Sequence, residues 1–332
     1  MKKNEKKTEQ QKVDERRAEV LAQGRKFKYP LQFTRHRVVV STILIAAVVI
    51  GIIIVGGWLA LYRFNMDSDM LFRITKFLPA PVAVVEGNPV RFSDYLMFYR
   101  SSITSIERQS GQVDLSGSVE ALRAQYKRAA LSDAEEYTYA MKLAAEHDIA
   151  VTDSEVQDEF NRHLSIGGVE RSADSFMKIV EDNFGLSRDE YERMLYLTLV
   201  RAKVEAEIDE NASKIANEVE SLIAKNGGDY AAVASALGDK IKYEETGGFV
   251  PNQNIDGGRA SEAFKLEPGG QSGRFISMNG DGYYFVKLLE KTETEVNFVS
   301  IKVPFTKFQT DFAAIKDEGK IEEFITLPEV SQ

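Results

Sequence analysis

Residues 266–303 read LEPGGQSGRFISMNGDGYYFVKLLEKTETEVNFVSIKV, and they set this chain apart from an all-helical one. Asn279-Gly280-Asp281-Gly282 is rich in residues that tolerate a left-handed backbone. It lies between two short alternating segments, Phe275–Met278 and Tyr283–Leu289, which is the pattern of a hairpin. Pro268-Gly269-Gly270 marks a further turn, after a short helix at Ala260–Leu266, and Gly247-Gly248-Phe249-Val250 marks another. Upstream of these turns the apolar period lengthens from two to between three and four. Helices followed by an antiparallel sheet predict an α+β fold.

The helical part can be read from its starts and stripes. Ala83–Val90 reads as a small strand pair or an extended segment with its turn at Gly87-Asn88-Pro89, and Ser93 can cap a helix carrying Tyr95, Leu96, Phe98 and Tyr99. Leu122, Tyr126, Ala129, Ala130, Tyr137, Met141 and Ala144 recur at helical spacing and place one stripe on a helix that ends near His147. Thr152-Asp153-Ser154-Glu155 and Ser187-Arg188-Asp189-Glu190 each fit a capping box, in which the acid reaches back to the amide that opens the helix. Ser132-Asp133-Ala134-Glu135 fits the same pattern inside a helix, so period and flanking loop residues must support each assignment. The helix opened at Ser187 turns Tyr191, Leu195, Leu199 and Val204 inward and runs without a break to Lys225. Asn226-Gly227-Gly228 ends it, and Asp229 caps the short helix that follows. Glu205, Glu207, Asp209 and Glu210 read as a solvated face.

Val38–Leu61 contains no charged residue. As a helix its 24 residues span roughly 36 Å against a hydrocarbon core of about 30 Å, enough to cross a bilayer with some tilt. Residues 1–37 hold 12 Lys plus Arg and 5 Asp plus Glu, net +7, which leaves net −16 for the remainder. Basic residues beside a span are retained in the cytoplasm, so this asymmetry predicts a single-pass anchor with the N-terminus cytoplasmic and the larger part extracytoplasmic. A cleavable signal peptide has a shorter apolar region and a small-residue cleavage site, and neither is clear here. The expected division is a basic arm at 1–37, an anchor at 38–61 in contact with lipid, a helical domain at 80–208, a sheet domain at 209–303 and a tail at 304–332.

Composition narrows the function. There is no cysteine, which removes thiol chemistry and disulfide staples. An acidic exterior argues against nucleic acid as a partner, since phosphate binding needs a basic face. The three histidines, His36, His147 and His163, lie outside the sheet region, the latter two at helical surface positions, so a metal site or hydrolytic triad has little to build on. No phosphate loop or dinucleotide fingerprint is present, and no cofactor is expected. Tyr126, Tyr137, Tyr139 and Tyr191 read as core.

VAVVEGNPVRFSDY, LSDAEEYTYAMKLAAEHDIAVTDSEVQDEF and FGLSRDEYERMLYLTLVRAKVEAEI follow one another in the order of the N-terminal helical chaperone module of SurA- and PrsA-like foldases, which they resemble. GGDYAAVASALG, GGFV, ASEAFKLEPGGQSGRF and GYYFVKL resemble successive segments of the parvulin-type prolyl isomerase domain joined to that module. The strand that opens the parvulin domain is missing from its usual place. Val299-Ser300-Ile301-Lys302-Val303 carries its pattern, so Val296–Val303 is expected to fill that position from the C-terminal side through a hairpin with Tyr283–Leu289.

The resemblance implies a degenerate pocket. It places Ser300 and Tyr284 where the family has two histidines, Ile255 and Arg259 where it has the proline-binding Met and Phe, and Asp239 at the loop acid, with Phe264 completing the set. It implies a membrane-anchored foldase of a bacterial envelope that binds unfolded or nascent exported polypeptides, with isomerase activity weakened or lost. The alternative is a non-catalytic scaffold of an envelope complex.

Overall fold

The computed structural model of the chain describes residues 9–78, 80–110, 119–165, 169–251, 256–277 and 279–327. It divides into two units, one ending at Phe64 and one beginning at Asn65. In the first, α1 (Glu9–Trp58) continues into a π-helical turn at Leu59–Arg63, with the Trp58 and Tyr62 rings 6.0 Å apart. Within it Arg37–Arg63 is long and apolar enough to cross a membrane.

The second unit is α+β. It opens with α2 (Asp69–Phe77), then the hairpin β1 (Pro81–Val85) and β2 (Asn88–Arg91). The turn is Glu86-Gly87, both with positive φ, so Asn88 and Pro89 belong to the strand and not to the turn. Next come α3 (Phe92–Ser110), α4 (Val119–Glu146), α5 (Asp153–Leu164), α6 (Ala173–Phe184) and α7 (Arg188–Ile208). α3 starts directly from β2, so Ser93 lies inside the helix and is buried instead of capping it. α4 is covered by α3, α7 and the hairpin, and its buried face is wider than one stripe: Leu131, Ala134 and Ala140 are enclosed, while Met141 is exposed. At α5 the Thr152 amide donates to Glu155 Oε2 at 2.9 Å and the Glu155 amide donates to Thr152 Oγ1 at 3.3 Å. At α7 the Ser187 amide donates to Glu190 Oε2 at 2.8 Å.

His163 is not a free surface residue. It lies nearly one turn beyond Phe160 on α5, on the side that meets the Phe176 and Tyr191 rings, and its Nδ1 is 2.5 Å from the Tyr191 hydroxyl. Burial holds its pKa below the ordinary value.

The single helix expected from Arg188 to Lys225 is two. α7 stops at Ile208, Asp209 leaves helical geometry, and α8 (Glu210–Lys225) begins. Glu207 and Glu210 are solvated, but Glu205 and Asp209 are buried, which corrects the reading of all four as a surface face. Asp209 is 2% exposed because its carboxylate is used three times: Oδ1 accepts from the Ala212 amide at 2.9 Å, capping α8, and Oδ2 accepts from the Thr306 and Lys307 amides at 2.8 and 3.1 Å.

Beyond α8 lie α9 (Tyr230–Leu237), capped by Asp229, then β3 (Lys242–Glu245), β4 (Val250–Pro251), α10 (Arg259–Phe264), β5 (Phe275–Ile276), β6 (Gly282–Lys291) and β7 (Glu295–Pro304). The hairpin of Tyr283–Leu289 with Val296–Val303 is present, with β7 antiparallel to β6 along its length. The sheet order is β3-β7-β6-β5, with β4 on the far end of β7. One face packs Phe285, Val299, Ile301 and Val303 against α8 and α9, and the other packs Val286, Leu288, Val296 and Phe298 against α10.

The segment after Pro304 returns to the helical module. α11 (Lys307–Asp317) sets Phe308 and Phe312 against Tyr139, and β8 (Ile321–Glu323) pairs with β1 to make the sheet β2-β1-β8. Arg128 grips Glu323 with Nη1 2.7 Å from each carboxylate oxygen.

Asp209 is therefore expected to be worth more than an ordinary cap. Asp209→Ala strips the cap from α8 and the acceptor for the amides that open α11, and should cost about 2–4 kcal/mol, from one cap plus charge-assisted bonds to amides. Burial raises the Asp209 pKa, but the Thr306, Ala212 and Lys307 amides outweigh it and the net direction is down. The contribution is thus complete above the ordinary value of 3.8 and is lost as pH falls through the lower folded-state value. Urea unfolding of the two proteins at pH 7 and at successively lower pH checks this: the gap between them should be widest at neutral pH and close in acid.

Candidate functional site

The register of the sheet decides which side chains meet under α10. β6 and β7 set Tyr284 opposite Lys302, Val286 opposite Ser300 and Leu288 opposite Phe298, and β3 sets Glu244 opposite Ser300. Alternation puts all of these on the α10 face. One end of that face is apolar, with Val250 and Phe264 packed on Val286, Leu288 and Phe298. The other end is polar, and between them lies a cleft of about 340 Å3 lined in part by Glu244, Val250, Asp256, Arg259, Phe298 and Ser300.

Arg259 controls this cleft. The Asp256 carboxylate accepts from the Gly258 amide at 3.1 Å and the Ala260 amide at 2.8 Å, fixing the start of α10 and so the direction of the next side chain. Arg259 Nε donates to the Asp256 carbonyl at 2.8 Å, and Nη1 is ion-paired with Glu244 and 3.5 Å from Ser300 Oγ. The guanidinium carbon lies 5.4 Å from the centre of the Tyr284 ring, and Lys302 Nζ lies 5.5 Å from it. Tyr284 is buried with two cations against its ring.

Lys302 is itself held by Asp281, which also accepts from Ser277 Oγ at 2.5 Å and from the Tyr284 hydroxyl at 3.4 Å. Burial opposes both charges, yet the pair wins. Lys302 lies above its ordinary pKa through Asp281 and Tyr284, and Asp281 lies below its own through Lys302 and Ser277. Burial, then the Asp281 charge, pushes the Tyr284 phenol up. The arrangement holds charge and shape: the Glu244 carboxylate, opposite Ser300 across the strands, is paired with Arg259, and no histidine lies in residues 209–303. Among the described residues no group of three or more His, Asp or Glu side chains is arranged to hold a metal ion.

Of the candidate residues, Arg259, Tyr284 and Ser300 come together here. Phe264 packs in the apolar end beside them. Asp239 is exposed in a 3₁₀ turn, Gly238–Lys240, and does not line the cleft. Ile255 lies outside the described residues. Glu244, Asp256, Asp281 and Lys302 were not candidates, and only the strand register, with Glu244 and Lys302 flanking Ser300 and Tyr284, could have signalled two of them.

A second, larger recess separates the helical module from the sheet. Two hollows of about 600 and 460 Å3 share Arg162 and Ile276 in their walls. The helical wall presents Met194, Leu195, Thr198, Leu199 and Ala202, and the sheet wall presents Phe275 and Ile276 from β5. Leu199, expected inside the helical core, is instead half-buried in this wall, and Ile276 is exposed. The crevice is kept narrow where the β5–β6 turn meets α7. Gly280 has φ +69, and a β-carbon there would lie 2.7 Å from that of Ala202, while the Tyr283 hydroxyl donates to the Ala206 carbonyl at 3.2 Å. Ion pairs rim the helical side, Lys203 with Glu155 at 2.6 Å and Arg162 with Glu159. The Lys203 contact, then the Thr152 amide, holds Glu155 down to about 2.

Residues 31–205, slightly more than half of the chain, match the family model described as SurA-like N-terminal domain. No curated protein matches the chain. The match ends within α7, short of Asp209, and leaves out the sheet module and the returning C-terminal segment.

The cleft gives a direct test of the proline-binding wall implied by the resemblance. Arg259→Phe replaces a charge with a ring on that wall and should strengthen binding of a proline peptide over its alanine counterpart by up to about 1.5–3 kcal/mol, the value of enclosing such a side chain. Glu244 loses its partner but stays half solvated, so the change is tolerable. Titration calorimetry checks it; an unchanged proline preference would place Arg259 outside any proline site.

Proposed function

The chain belongs to the SurA-like N-terminal domain family, and we propose that it works as a membrane-anchored holdase for polypeptides emerging on the extracytoplasmic face. The SurA-like domain is a chaperone module that binds unfolded polypeptides in general. The helix at Arg37–Arg63 supports the anchor, and the net +7 of residues 1–37 supports a cytoplasmic N-terminus. The sheet module is read as a divergent parvulin in which β7, paired with β6, stands in for the missing first strand.

The observation that carries the holdase reading over the isomerase one is Arg259. Isomerisation of a prolyl bond requires a dry wall against the ring and relief of amide resonance, a barrier of about 18–20 kcal/mol. Here the wall holds a guanidinium bound to Glu244 and Ser300. The crevice between the modules offers apolar side chains among ion pairs, which suits broad and individually weak contacts with extended chains. Anchoring raises the local concentration of such a weak site near an export point.

Full-length protein in nanodiscs, given an aggregating client and in parallel a client whose refolding is limited by a prolyl bond, tests this reading. Aggregation should be suppressed with the refolding rate unchanged. Acceleration of refolding would make the protein an isomerase, and failure in both assays would favour the non-catalytic scaffold.

A further inference from the structure

α2 begins six residues after the apolar helix ends at Arg63, and it has two unlike faces. Phe72 and Thr75 are buried, Phe72 beneath the Arg100 guanidinium at 4.4 Å from the ring centre. Met70, Ile74 and Phe77, spaced as one face, point outward, with Met70 73% and Phe77 88% exposed. Met66 and Leu78 extend the patch. An apolar patch of this kind, gathered on one helix, signals an interaction surface.

Charge and reach identify what covers it. The acids nearest the patch are committed to the domain: Asp67 to Lys127 at 3.1 Å and Asp69 to Arg100 at 2.8 Å. Lys76 ties the helix to Glu190 at 3.1 Å, and Arg73 stands exposed at the edge of the outward face. Six chain steps from Arg63 to Asp69 cannot exceed about 22 Å even fully extended. The patch is therefore tethered within reach of the point where the chain leaves the bilayer.

We propose that α2 docks on the bilayer surface, burying Met66, Met70, Ile74, Phe77 and Leu78 at the headgroup boundary with Arg73 toward the lipid phosphates. This rests on the anchor reading. A helix with one apolar face and a basic edge enters that zone by about 5–10 Å. The span and α2 together hold the second unit by two points, which fixes its orientation on the membrane as well as its distance.

The chain has no cysteine, so single cysteines can be placed without background. Met70→Cys, Phe77→Cys, Ile45→Cys in the span and Glu293→Cys in the exposed β6–β7 turn are each labelled with an environment-sensitive fluorophore. The full chain is reconstituted in vesicles of phosphatidylcholine and phosphatidylglycerol, with or without nitroxide on the acyl chains. Docking predicts about twofold or greater quenching at positions 70 and 77 as well as 45, and none at 293. Quenching at 45 alone overturns the docking and leaves the anchor standing. Quenching at none of the four overturns the anchor, and the docking with it. A dye at 70 or 77 that reports an apolar setting without lipid quenching shows the face covered by protein and also overturns the proposal.

Discussion

A single buried carboxylate, Asp209, stands where the chain leaves the helical module and where it comes back. Its two oxygens hold amides from α8 and from the start of α11, elements almost a hundred residues apart in sequence. A carboxylate removed from water is costly unless its lone pairs are satisfied, and three amide donors satisfy them here. The sheet module is thereby inserted as a loop, with both connections pinned at one point. From that point α11 carries Phe308 and Phe312 onto Tyr139, and β8 completes the sheet begun by β1.

This placement also shapes the crevice. With α7 ended at Ile208, α8 can turn beneath the sheet, and the β5–β6 turn comes down onto α7 at Ala202, close enough that only glycine fits at 280. The two modules touch there and diverge on either side of Ile276, leaving the hollows that Met194, Leu195 and Leu199 line. The result is a crevice with apolar side chains in both walls. The α10 cleft, by contrast, carries an ion pair, Arg259 with Glu244, in its wall.

What the sequence reveals is what neighbours in sequence decide. The capping boxes at Thr152 and Ser187 and the Asp229 cap each depend on residues within four positions, and each lies where the sequence places it. The glycine turn between β5 and β6 is present too, although β5 ends at Ile276, Met278 lies outside the described residues and Gly282 belongs to β6. The pairing of Val296–Val303 with Tyr283–Leu289 was legible because two runs rich in β-branched and aromatic residues are joined by a short polar turn. The break at Asp209 was not, because helical propensity runs through it and two of the three amides that hold its carboxylate lie far along the chain, at Thr306 and Lys307. His163 and Leu199 depart from the sequence pattern for a related reason: one faces a ring cluster assembled from α5, α6 and α7, and the other faces the crevice beside the sheet. In the cleft, Arg259, Tyr284 and Ser300 could be aligned by resemblance, whereas Glu244 becomes visible only when β3 is laid against β7.

The central claim, that unfolded chains are held in the crevice and not in the α10 cleft, is tested most directly by photo-crosslinking. A photoreactive residue is placed in turn at Leu199 or Ile276 in the crevice, at Val250 in the cleft and at Glu293 in the exposed turn of the full-length protein, with a labelled unfolded polypeptide added. The account predicts adducts from Leu199 and Ile276 that excess unlabelled unfolded chain competes away, and background levels from Val250 and Glu293. Adducts mainly from Val250, or equal yields from all four positions, would contradict it.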